Sequence, residues 1–221
     1  MKNIFLSASI PLPERHAKYY DTADIIAIRD AVIALASLVL GKHRIIWGGH
    51  PSITPLIYYV IERIIQNRLD EKEAYKILDS EEQKEALFQE LKKEISEHVK
   101  IYQSLFFKDK FPEDNEKFSN IMFTNNKGDV HSSIQFMREE MLHKNDFAAA
   151  VFIGGMDGIE VEYRMFIEKH PEALVIPIAS TGAATKIVYD NLSDGTREKN
   201  ERFLKDYGYM SLFQKYLIDE I

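Results

Sequence analysis

Four short apolar runs, each closing on glycine or small hydroxyl-bearing residues, constrain the fold of this chain more than any other feature. They occupy residues 4–9, 44–47, 147–153 and 174–178, and they end at Ser7 and Ser9, at Gly48-Gly49-His50, at Gly154-Gly155 and at Ser180-Thr181-Gly182. A continuous apolar run of this length is the mark of a strand buried on both faces. Between the runs, apolar residues recur at helical spacing. Ile25, Ile28, Val32, Leu35, Leu38 and Val39 do so over residues 22–40, with Gly41 placed to end the helix. Strands alternating with helices predict an α/β chain with a mostly parallel sheet covered by helices on both faces.

Local signals place the remaining elements. Thr54 and Pro55 suit the N-cap and first position of a helix after the Gly48-Gly49 turn. Residues 70–97 are dense in Glu and Lys, with Leu87, Leu91 and Ile95 at intervals of four. This predicts solvated amphipathic helices in a charged insertion spanning residues 67–98. Further strands are expected over residues 99–107 and 118–124, separated by the polar loop Pro112-Glu113-Asp114-Asn115. Ser132 with Gln135 three residues on predicts a capped helix over residues 133–143. Residues 196–221 read as one or two helices whose Phe203, Leu204, Leu212, Phe213 and Leu217 either close one face of the sheet or form a dimer surface.

Size and composition exclude several classes. A chain of 221 residues suits one domain. With no cysteine there is no disulfide framework, thiol nucleophile or thiolate metal site. No His or carboxylate pair has a ligand spacing, so neither a metal nor a cofactor is expected. A net charge of −7 disfavours nucleic acid as a partner, because binding there rests on a surplus of Lys and Arg. The longest apolar run, residues 31–40, is flanked by Arg29, Asp30 and Lys42 and is too short to span a membrane. Met1-Lys2-Asn3 leads straight into a strand without a leader pattern, which predicts a cytoplasmic protein.

Ligands of an open parallel sheet bind outside the carboxyl ends of its strands. The candidate binding residues are therefore Ser7, Ser9, Gly48, Gly49, His50, Gly154, Gly155, Met156, Asp157, Gly158, Ser180, Thr181 and Gly182. Glycine permits close backbone approach, and amides at a helix start attract anions. Two Gly-Gly turns at strand ends point to a phosphorylated or ribosyl ligand.

Three segments in order carry a family resemblance: Ile45-Ile46-Trp47-Gly48-Gly49, Arg138-Glu139-Glu140-Met141, and Gly154-Gly155-Met156-Asp157-Gly158-Ile159-Glu160-Val161-Glu162. Together they resemble the LOG-like, or lysine-decarboxylase-like, proteins of the SLOG superfamily. The resemblance implies a Rossmann-like domain, a homo-oligomer, and catalytic roles for Arg138 and Glu162 in cleaving the bond between a base and ribose 5′-phosphate. Such cleavage builds positive charge on the ribose, which a nearby carboxylate stabilises. The family's second turn reads Pro-Gly-Gly-x-Gly-Thr. Here Ile153 replaces the proline, Asp157 is inserted and Ile159 replaces the threonine. The expected function is accordingly a binding module for a nucleotide-like small molecule, which the resemblance to SLOG domains implies acts in a prokaryotic conflict system, with N-glycosidic hydrolysis or transfer as the alternative.

Overall fold

Alternation along the first strand sets the layering. β1 (Asn3–Ser9) sends Ile4 and Leu6 into one core and Phe5 into another on the opposite face, all three fully or nearly fully buried. The computed structural model, which describes residues 1–14, 17–71, 80–111 and 113–221, repeats this two-sided burial in β2 (Arg44–Trp47), β3 (Val99–Ser104), β5 (Ala149–Gly154) and β6 (Leu174–Ile178). With β4 (Ile121–Thr124) they form a six-stranded sheet in the order β4-β3-β2-β1-β5-β6. Every neighbouring pair is parallel, so the expected sheet is parallel throughout.

Helices cover both faces, as a parallel sheet requires. After the short α1 (Ala17–Tyr20), α2 (Ile25–Val39), α3 (Thr54–Glu71) and α4 (Glu81–Ser96) pack on the side of Ile4 and Leu6. On the side of Phe5 lie α5 (Val130–His143), α6 (Asp157–Lys169) and most of α7 (Ala183–Asp190). The last elements, α8 (Glu201–Lys205) and α9 (Tyr209–Phe213), bring Phe203, Leu212 and Phe213 into the first core, followed by Leu217. The C-terminal helices thus close one face. No helix among the described residues is long and apolar enough to cross a membrane.

The charged segment is anchored. Glu81, Glu82, Gln89 and Glu90 of α4 are exposed, while Leu91 and Ile95 are buried in the first core. Residues 72–79 of that segment, and Pro112 of the polar loop, lie outside the described residues.

Three local expectations are corrected. The strand expected over residues 99–107 stops at Ser104, whose hydroxyl accepts from Phe106 N and starts a 3-10 turn over Leu105–Lys110. β4 begins at Ile121, because Phe118 is spent packing edge-on against Trp47. The helix expected from Ser133 starts at Val130, capped by Asp129, whose carboxylate accepts from Ser132 N at 2.9 Å. Those same amide contacts hold the Asp129 carboxyl below its usual range. Gln135 bonds Glu139 instead of closing a capping box.

Candidate functional site

The strand order places a crevice beside β1. The chain adds β2, β3 and β4 outward on one side of β1, then crosses over to lay β5 and β6 on the other. α2, the first long helix after β1, and α6, after β5, pack on opposite faces, so the two carboxyl ends part there. Ser9 lies in register with Gly154 across this point.

Glu162, in the second turn of α6, is the hub. Its Oε2 accepts a hydrogen bond from Ser7 Oγ of β1, and its Oε1 accepts from Arg138 Nε of α5 at 2.9 Å. The Arg138 and Glu162 side chains retain only 15% and 17% of their exposure. Three elements far apart in sequence thus converge on one carboxylate. The arrangement leaves Arg138 with guanidinium hydrogens not used on Glu162, since Nε makes that contact. Its Nη2 reaches the first turn of α6, where a Cβ added to Gly158 would lie 2.7 Å from it.

The glycine pair after β5 is shaped by packing. Gly154 and Gly155 both have positive φ, 59° and 77°, and added Cβ atoms would lie 2.4 Å from Ile28 Cδ1 and 2.2 Å from Ile159 Cγ1. Their amides are engaged: Gly154 N donates to Thr181 Oγ1 at 2.9 Å and Gly155 N to the Ser9 carbonyl at 2.8 Å. Donors for an anion at this strand end therefore come from the first turn of α6, Gly158 among them, where amides lack a carbonyl within the helix. Met156 is the buried N-cap residue of α6, and Asp157 is exposed at its first position.

The other candidate residues line up around this centre. Gly48 abuts α5 through Met137, the neighbour of Arg138. The Gly49 carbonyl accepts from Gln103 Nε2 at 2.8 Å. His50 Nδ1 is 2.9 Å from Ser52 Oγ, which also accepts from Ile10 N, tying the ends of β1 and β2 together. Ser180, Thr181 and Gly182 are drawn into structural contacts. Ser180 Oγ meets Tyr209 Oη at 3.1 Å, Thr181 Oγ1 donates to the Ile178 carbonyl while accepting from Gly154 N, and Gly182 packs against the Thr22 carbonyl.

Two contributors escaped the sequence reading. Tyr19 Oη donates to Glu160 Oε1 at 2.6 Å, fastening α1 over the first turn of α6. Burial, then the Glu160 contact, raises the Tyr19 hydroxyl above its ordinary pKa. Lys18 Nζ lies 4.3 Å from the Tyr19 ring centre, and its pKa is raised by the Tyr19 hydroxyl first, with smaller contributions from Glu160 and Asp157. The second contributor is Gln103, whose amide shapes the Gly49 turn. A two-strand spacing signal exists for neither residue. Only the fold brings them in.

No curated protein matches this chain. The SLOG cluster3 family model does, over residues 18–86 and 84–217, a span that includes Gly48-Gly49, Arg138 and the Gly154–Glu162 segment. A six-stranded parallel Rossmann-like sheet and a match over most of its length make this chain a member of the SLOG cluster3 family.

Proposed function

We propose that the crevice between β1 and β5 binds a nucleotide or nucleotide-derived ligand, either NAD- or ADP-ribose-like or a signalling nucleotide. In this reading the protein is a cytoplasmic, homo-oligomeric sensor in a prokaryotic conflict system. The observation that carries it is the convergence of Ser7, Arg138 and Glu162 beside the first turn of α6. A guanidinium next to helix-start amides suits a phosphate, and a carboxylate flanked by a serine hydroxyl suits ribose hydroxyls. Membership in a SLOG family supports a nucleotide-related role.

The test is a thermal-shift panel of NAD, ADP-ribose, cyclic nucleotides and nucleoside monophosphates. A ligand of the native state present at 100 times its Kd stabilises by about 2.7 kcal/mol. The expected result is a raised Tm for at least one ligand, lost in Arg138→Ala. No rise with any of them would refute the reading.

One feature favours a catalytic second reading. Glu162 is held from both sides, which fixes a carboxylate where an oxocarbenium-like ribose would need it. If the protein is an N-glycosidic hydrolase or transferase, incubation with nucleoside monophosphates or NAD releases free base, and Glu162→Gln abolishes the release. Equal release by the variant would remove Glu162 from that chemistry.

A further inference from the structure

A cation reaches the first turn of α6 from each side. Gly158 and Glu160 are two residues apart, so at about 100° per residue they face nearly opposite ways around the helix. Arg138 comes in on the Gly158 side. Its Nη2 lies 2.7 Å from where a Cβ on Gly158 would stand, and its Nε holds Glu162, four residues on. On the Glu160 side stands α1, whose Tyr19 Oη donates to Glu160 Oε1 at 2.6 Å. Lys18 Nζ lies 4.3 Å from the centre of that tyrosine ring. The Tyr19 hydroxyl raises the Lys18 pKa first, and Glu160 and Asp157 raise it further, as befits an ammonium held against this turn. Beyond Tyr19, α1 is pinned again. Thr22 Oγ1 donates to the Lys18 carbonyl at 3.2 Å, the Thr22 carbonyl packs against Gly182, and Asp24 N donates to the Thr181 carbonyl at 3.1 Å. A buried, anchored tyrosine thus carries an exposed lysine to the helix start.

Resting on the nucleotide reading of this crevice, we propose that Lys18 is a second cation of the ligand site, opposite Arg138, and that the two together select a ligand with two linked phosphates. Side chains on opposite sides of a helix stand about 10 Å apart. One phosphate over the first-turn amides meets one of the two cations, whereas a pyrophosphate presents a phosphate to each. ADP-ribose and NAD carry that group, and AMP does not. Lysine suits the outer place because its ammonium is a point charge on a flexible stem and needs no fixed donor geometry. Tyr19 acts through Lys18 as a positioning residue, its ring beneath the ammonium and its hydroxyl on Glu160.

Calorimetric titration of the full chain with ADP-ribose, NAD and AMP tests this. The parent is expected to bind ADP-ribose or NAD roughly tenfold more tightly than AMP. Lys18→Gln is expected to weaken the pyrophosphate ligands by about tenfold, to leave any AMP binding unchanged, and to make the remaining ADP-ribose binding less sensitive to salt. Lys18→Arg should restore most of the loss. Because Lys18 is exposed, unfolding of the unliganded Lys18→Gln protein should match the parent. Tyr19→Phe keeps the buried ring and releases Glu160, so it should weaken ADP-ribose binding in the parent and add nothing in Lys18→Gln. An equal Tyr19→Phe loss in both backgrounds would remove its positioning role. Binding confined to AMP or cyclic nucleotides, AMP bound as tightly as ADP-ribose and NAD, or a Lys18→Gln protein with the parent's affinity for them would overturn the proposal and leave the nucleotide reading standing. A parent that binds no nucleotide would overturn both.

Discussion

Arg138 and Glu162 lie 24 positions apart on different helices, yet Nε of the first donates to Oε1 of the second at 2.9 Å in a largely buried contact. The pair ties α5 to α6 across the end of β1, and Ser7 completes the tie from the strand itself.

Arg138→Ala leaves the Glu162 carboxylate with Ser7 as its remaining side-chain partner among the described residues. Hydrogen bonds to charged groups contribute about 1.5–3 kcal/mol, and partial exposure places this one near the lower end. A denaturant midpoint lowered by about 1–2 kcal/mol of stability is expected, with an unchanged m-value. A midpoint equal to the parent's would show that the pair does not hold the two helices.

Gly158→Ala separates stability from binding. Alanine favours a helix over glycine by about 0.5–1 kcal/mol, while the new methyl group meets only the flexible end of Arg138. Stability is expected to stay within about 1 kcal/mol of the parent. The displaced guanidinium should reduce any ligand-induced rise in Tm toward that of Arg138→Ala. A full rise would place the anion elsewhere.

Gly154→Ala is expected to be costly. Its φ of 59° is a left-handed conformation that costs alanine about 1–2 kcal/mol, and its Cβ would lie 2.4 Å from Ile28 Cδ1. Overpacking adds about 1–3 kcal/mol, so equilibrium unfolding should register a loss of several kcal/mol. A near-neutral result would mean that α2 and the β5 turn separate easily.

Tyr209 predicts an alkaline limit. Burial pushes its hydroxyl up to about 12, against a contrary contribution from Ser180. The raised value means that the folded protein holds this proton more tightly than the unfolded chain does. Its contribution to stability is therefore complete below pH 10 and is lost as pH rises toward 12. Tyr209→Phe should flatten the decline of stability with pH in that window, measured by urea unfolding. An identical slope in the variant would assign the decline to the other raised tyrosines, Tyr19, Tyr163 and Tyr189.

Much of the fold was legible because burial on both faces leaves unbroken apolar runs, as at β2 and β6, whose bounds match the reading residue for residue. The 3-10 turn after Ser104 was not. Phe106 and Phe107 look like strand residues, and only the hydroxyl of Ser104 capturing Phe106 N decides otherwise. At the site, the run Arg138-Glu139-Glu140 suggests a solvated ion pair within one helix. The tertiary partner Glu162 prevails because α5 and α6 both pack on the face of Phe5. The Gly154-Gly155 pattern reads as a turn that lets the backbone approach a ligand closely, whereas the structure spends both amides on Thr181 and Ser9, residues that sequence spacing does not connect.

The contact of α9 with α2 bears on how the chain emerges from the ribosome. Ala31, Leu35 and Val39 are made well before Leu212, Phe213 and Leu217, which share their core. Until those residues leave the exit tunnel, a nascent chain presents an oily helix to its surroundings, the kind of surface on which holdase chaperones act.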